Sequence, residues 1–432
     1  MKRWVAILAG GALAGVLGAE TDRAPSLVSR GWLPPGNRAR GQEAFRARLG
    51  AISGYDNGIL TAGLDRGEGL FQELAGGVES RRPGRRVNFR MDYQFGLRHY
   101  SRLSRLNHSN HSLNLDARIR LSRRFLLEFR DVAASSAFGG SFLTPATDLS
   151  SAFFLDGEPA AFHSRSLANT ALADLVFSPS VRTSMSAGGD GFIVRRQYHG
   201  LADLAGWRAR ADLAHRYSRH RTITVSYSLT HFDHTRAFGG ADYRVYTLGH
   251  SWRWGKNSEL GLLAGAGRVA SAGVRAVELD PQISRLLGTS RGAEIFRVDT
   301  WTPHLLAAWS LAGRRWAWRA QLSRLVSDGG GFSGLARQSH ASVAVSAPVG
   351  RGWRLAGNLQ ARTFRSLDTR LLDSVSAAAG GSLSRRLGPR LEAVWRYHYS
   401  FYDFHRGLLR HFHRHQAAAG VVYHFQDLPV AR

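Results

Sequence analysis

The 432-residue chain has no cysteine, so neither disulfides nor thiolate chemistry contribute to it. Lysine is nearly missing too. It occurs only at Lys2 and Lys256, which all but excludes lysine-dependent catalysis and makes 56 of the 58 basic residues arginine. Beyond the first 19 residues no segment approaches the roughly 20 apolar residues that a membrane helix needs. The longest apolar run, 305–311, is far too short. HExxH, GxSxG and GxxxxGK[ST] are also absent, so the common metalloprotease, serine-hydrolase and phosphate-loop chemistries have no motif here.

What is present begins with MKRWVAILAGGALAGVLGAE. Lys2 and Arg3 precede an apolar stretch from Trp4 to Gly18, with small residues at Gly18 and Ala19. This reads as a secretory signal peptide over 1–19. Residues 20–43, with Pro34-Pro35-Gly36, read as a periplasmic lead-in. The formal net charge is +26. Such an excess points to anionic partners, although an export signal argues against nucleic acid.

The dominant pattern is a period of two. In RVNFRMDYQFGLRHY (86–100), Val87, Phe89, Met91, Tyr93, Phe95 and Leu97 alternate with Asn88, Arg90, Asp92, Gln94 and Arg98. The alternation recurs at 113–121, 125–130, 207–213, 222–229, 316–323, 353–362, 391–398 and 417–425. Strands with one apolar and one polar face have this period. Short turns fall near 122–124, 178–182, 218–221, 255–258, 312–315, 348–352 and 387–390. Longer links fall near 102–110, 134–165, 232–242, 270–295, 327–338, 364–373 and 400–415. Loops sorted by parity are the habit of a transmembrane barrel, with tight periplasmic turns and long outer loops.

Aromatic residues follow the same sorting. Phe125, Phe177, Tyr217, Trp252, Trp254, Trp309, Trp316, Trp353 and Phe425 share the apolar parity and sit beside the short turns. They form the expected periplasmic aromatic girdle, facing membrane lipids and glycolipids. The last strand ends in Phe425, resembling the signal by which outer-membrane barrels engage their assembly machinery, and residues 426–432 follow as a periplasmic tail. Counting from Arg86 gives sixteen strands. Two earlier candidates, at 45–51 and 70–78, raise the count to eighteen, so the sequence predicts an all-β, antiparallel 18-stranded barrel over 44–425, with sixteen as the alternative.

SGYDNGIL (53–60), LNLDARIRLSRRFLLEFRD (113–131), VSYSLTHFDHTRAFGGADYRVYTLG (225–249) and ELDPQISRLLG (278–288) resemble stretches of the outer-membrane β-barrel proteins common in Acidobacteria, which are loosely related to β-barrel porins. The resemblance implies location and architecture. It assigns no functional residues.

The polar parity carries the candidate chemistry. Arg90, Arg98, Arg118, Arg120, Arg130, Arg208, Arg210, Arg319, Arg354, Arg362 and Arg396 would line the lumen, with Asp92, Asp116, Glu128, Asp212 and Glu392 as acidic partners. Arginine-lined pores favour anions, whereas pairing with the acids would merely stiffen the wall. The expected function is a porin-like channel for small hydrophilic solutes, biased towards anions, with no cofactor. The alternatives are a conduit or anchor for an acidic exopolysaccharide and a lipid-modifying enzyme. His411, His413 and His415 share one strand face and are secondary metal candidates. Ala187 to Gly191 read AGGDG, a single copy of a calcium-repeat motif that works in arrays. The apolar link 134–165, with Phe138, Phe142, Phe153, Phe154 and Phe162, is expected to fold into the lumen or to join subunits of an oligomer.

Overall fold

The computed structural model describes residues 44–60, 66–136, 165–197, 203–234, 239–254, 257–278, 280–313, 315–327, 335–367, 373–404 and 411–425. The expectations for 1–19, 20–43 and 426–432, and for all of the 134–165 link except its ends, lie outside these residues.

Each alternating stretch is a strand. The strands are β1 (Ala44–Leu60), β2 (Arg66–Pro83), β3 (Val87–Tyr100), β4 (His108–Arg120), β5 (Phe125–Ser136) and β6 (Ser166–Phe177). They continue with β7 (Thr183–Arg196), β8 (Leu204–Ser218), β9 (Arg221–Asp233), β10 (Gly239–Trp254), β11 (Ser258–Glu278) and β12 (Arg291–Ala312). The last six are β13 (Ala317–Ser327), β14 (Ala336–Gly350), β15 (Trp353–Ser366), β16 (Ser374–Arg386), β17 (Leu391–Phe404) and β18 (His411–His424). Every strand pairs antiparallel with its sequence neighbours, and β1 closes on β18 from Arg48↔His424 to Asn57↔His415. The protein is a closed barrel of eighteen strands. The sixteen-strand count fails because 44–60 and 66–83 are full members of the wall.

Alternation fixes which way each residue faces. Leu248, Leu322 and Leu359 stand exposed on the outer surface. Their polar neighbours in sequence turn inward, as Thr247, Ser323 and Gln360 do. The register preserves this sorting around the ring, because a slip of one residue would exchange the two faces.

One expected link is largely strand. Within 270–295, β11 runs on to Glu278 and β12 starts at Arg291, with a short helix (Pro281–Leu287) between them. Asp280 caps that helix through the Gln282 N–H at 2.8 Å, and Gly288 ends it at φ 65°. This hairpin rises beyond its neighbours: β10 accompanies β11 only as far as Gly239↔Gly273. β12 meets β13 only from Leu305↔Arg324 onward. A ribbon with water on both faces has no need of apolar alternation, so periodicity did not reveal it. Pro303 marks where β12 and β13 part. Its pairing with β11 is unbroken, so the missing N–H faces the β13 side, where the ladder stops.

Candidate functional site

The inward faces of β2 to β8 form a wall of cross-strand ion pairs. Arg90 lies 3.3 Å from Glu79 and 3.8 Å from Asp92. Arg118 lies 3.4 Å from Glu128, and Arg130 donates to Asp116 at 2.6 Å. Arg208 reaches Asp190 at 2.8 Å, and Arg210 reaches Asp174 at 2.6 Å. Asp212 accepts from the Ser186 hydroxyl at 3.1 Å. Arg120 sits exposed at the short-link end of β4.

At the barrel seam the pairing is deeper. Asp56 accepts from Arg414 Nε and Nη2 at 3.0 and 2.8 Å, from Gln416 at 2.6 Å and from the Tyr100 hydroxyl at 2.9 Å. Arg98 donates twice to Glu73, at 2.9 and 2.6 Å, with its guanidinium 4.4 Å above the Phe71 ring. All four charged side chains are almost wholly withdrawn from solvent. Arg98 is therefore a neutralised structural group and not an open pore-lining cation, which corrects the sequence expectation for it. Buried charges persist only when paired in this way. A turn over Ser104–Leu106 brings Leu106 down beside Phe71 and Tyr100 and helps to shield the network.

The AGGDG motif has a place in this arithmetic. Gly188 pairs with Asp174 on one side and Arg210 on the other. A Cβ there would collide with Asp174 Oδ1 and the Ala173 carbonyl. The glycine leaves the gap through which the Asp174–Arg210 bridge passes, and Asp190 accepts from Arg208 Nε. The motif serves a strand crossing.

The opposite wall differs. Arg319, Arg354, Arg362 and Arg396 face inward from β13, β15 and β17, among Gln321, Ser323, His340, Ser342, Asn358 and Gln360. Across β13 to β17 the only inward carboxylate among the described residues is Glu392, which His424 holds at 3.0 Å. By contrast, β1 to β8 carry Asp56, Glu73, Glu79, Asp92, Asp116, Glu128, Asp174, Asp190 and Asp212. The inner surface thus has a side rich in ion pairs and a side almost without carboxylates.

Nor is the interior uniformly polar. Phe192, Leu204, Phe232, Tyr243, Val245 and Val269 cluster at the long-link end and meet Val326 at the end of β13, Leu335 just before β14 and Leu367 just after β15. Tyr243 lies over Gly267, and its hydroxyl is 3.2 Å from His304 Nδ1. Arg337 donates to Thr302 at 3.1 Å, so the end of β14 leans on the inner face of β12. The inward element expected in 134–165 lies outside the described residues; the apolar cluster seen among them draws on the ends of β13, β14 and β15.

On the outer surface the nine aromatics all stand at short-link ends. Phe125, Tyr217, Trp254, Trp309, Trp316 and Phe425 are exposed. Phe177 stacks on Phe125 at 4.8 Å, Trp252 meets His250 at 3.8 Å and Trp353 stacks on Trp395 at 5.9 Å. A second tier stands nearer the long links. Eight residues separate Trp301 from Trp309, and ten separate Trp207 from Tyr217. At about 3.3 Å per residue and a tilt near 40°, the two tiers are roughly 20–25 Å apart. His411, His413 and His415 are exposed on that outer face. His413 Nδ1 engages the Tyr399 hydroxyl and His415 Nδ1 that of Tyr397, at 2.5 and 2.8 Å. Among the described residues no cluster of three potential metal ligands occurs.

Sequence reasoning overlooked Asp56, Glu73, Glu79, Asp174, Asp190 and Arg414. The available signal was parity alone, since each sits on the polar side of its strand. A count of carboxylates per strand would also have exposed the cationic wall.

No protein-family model and no curated protein match the chain. Among solved structures, OccK2 (OpdF) of Pseudomonas aeruginosa is similar at 12% identity, covering 88% of this chain and 98% of its own, with a TM-score of 0.43. A second structure of that protein is a complex with glucuronate. OccAB4 of Acinetobacter baumannii is similar at 9% identity over 90% of this chain and 100% of its own, with a TM-score of 0.41.

Proposed function

We propose that the protein is an outer-membrane channel for the passive passage of hydrophilic solutes, biased towards anions. The observation that carries the reading is the uneven inner surface. Arg319, Arg354, Arg362 and Arg396 share one wall with a single carboxylate, while the facing wall sets nine carboxylates among its arginines. In a confined, poorly screened space, fixed guanidinium groups lower the energy of a partly dehydrated anion. Barrels of sixteen to eighteen strands leave room for an aqueous path.

The outer surface supports the membrane setting. Its two aromatic tiers bracket an apolar band of roughly 20–25 Å, close to the height of about 25 Å of an outer-membrane barrel's lipid-facing belt. An export signal over 1–19 and an aromatic-ended final strand that engages the assembly machinery belong to the same account.

Liposome swelling tests it. Vesicles carrying the refolded protein are placed in isosmotic solutions of a neutral sugar, an organic anion and an organic cation of matched size. Swelling should occur in all three and be faster for the anion than for the cation. Swelling no faster than in protein-free vesicles contradicts the channel; a faster cation contradicts the bias.

A further inference from the structure

The outer face of β9 to β12 is layered. Nearest the middle of the wall, Val225, Leu248, Ala264 and Leu305 form a register row, followed by Tyr227, Tyr246, Ala266 and Pro303. The next row outward holds Leu229, Arg244, Arg268 and Trp301, and the one beyond it His231, Asp242, Ala270 and Asp299. The surface changes from apolar to charged within one row, ten residues above Trp254 on β10.

Arg244 and Arg268 are direct cross-strand partners. Side chains so placed have Cβ atoms about 5 Å apart, and like charges there repel. Asp299 compensates one of them, accepting from Arg268 Nε and Nη2 at 2.9 and 2.6 Å. The other acid within reach is committed elsewhere: Asp242 is held by His231 Nδ1 at 2.8 Å. Arg297, one further step outward on β12, is exposed and adds to the positive field. Among the described residues nothing pairs with Arg244. An exposed arginine at the edge of an apolar belt, set against a second arginine, is a half-built anion site.

We propose that Arg244 and Arg268 bind the phosphate of a phosphorylated glycolipid of the outer leaflet, whose acyl chains lie on Tyr246, Leu248, Leu305 and Trp301. A phosphate supplies several acceptor oxygens and enough charge to bridge two guanidinium groups, which match its geometry with paired N–H donors. The apolar rows directly below explain why the occupant is a lipid and not a free ion. Trp301 and Tyr246, both exposed, belong at the headgroup level. This site rests on the membrane-spanning part of the proposed function and not on the pore.

Titration calorimetry of the full chain in detergent tests it, with diphosphorylated lipid A, its dephosphorylated form and inorganic phosphate as separate probes. The first should bind, and Arg244→Ala should weaken it about tenfold or more, as the loss of a charge-assisted hydrogen bond implies. Arg244→Lys should fall between the two. Folding of each variant is checked by heat-modifiable migration, and bilayer conductance should equal wild type because the side chain faces outward. Equal binding by wild type and folded Arg244→Ala overturns the proposal, as does equal binding of the dephosphorylated lipid. Inorganic phosphate binding as tightly as the lipid assigns the pair to a free anion and overturns the lipid.

Discussion

Asp174 and Arg210 form a 2.6 Å ion pair although the whole of β7 runs between their strands, and Gly188 is the residue that lets them meet. The pair is nearly inaccessible to solvent, so separating it strands two charges in the wall.

Gly188→Ala should therefore destabilise the barrel by about 3–5 kcal/mol, the usual cost of breaking a buried pair. Gly191→Ala, three residues on, is its control: a Cβ there meets only the Gly206 carbonyl, at 4.0 Å. Urea-dependent refolding into vesicles should show a lowered midpoint for the first variant and little change for the second.

The seam network makes a related prediction. Asp56→Asn leaves Arg414 buried beside a neutral amide and should also cost about 3–5 kcal/mol. Adding Arg414→Gln removes the orphaned charge, so the double variant should be less destabilised than the two singles combined. The same refolding titration, run as a double-mutant cycle, measures the coupling.

Tyr243 packs within the apolar cluster at the long-link end, and its hydroxyl bonds to His304 on β12. Tyr243→Ala should cost about 3–5 kcal/mol, as aromatic truncations in packed sites do, and should raise single-channel conductance if this cluster narrows the path. Tyr243→Phe keeps the packing and should leave conductance near wild type.

The cationic wall is tested by Arg354→Gln combined with Arg362→Gln. Both residues face inward on β15. Their loss should narrow the difference between anion and cation swelling rates severalfold while leaving the neutral-sugar rate close to wild type. No change in the ratio would place anion selection elsewhere.

Much of this architecture was legible in the sequence because a barrel wall enforces a period of two on every strand. Stretches such as 86–100 and 113–130 announced their facing residues directly. The β11–β12 ribbon escaped because neither of its faces is held to an apolar surface. The partners in the most deeply buried ion pairs escaped for another reason. Alternation says that Arg98 and Arg210 point inward, yet their partners Glu73 and Asp174 are set by register between strands, which no local pattern records. A single AGGDG copy carries no ligand site, and the role of Gly188 emerges only once β6 and β8 are placed on either side of it.

The most direct measurement is the zero-current potential of the wild-type protein in a planar bilayer under a tenfold KCl gradient. Stable, ohmic openings are expected, with a potential whose sign reports chloride as the more permeant ion. Openings with a potassium-selective potential would contradict the role given to Arg319, Arg354, Arg362 and Arg396, and the absence of any conductance from correctly folded barrel would contradict the channel itself.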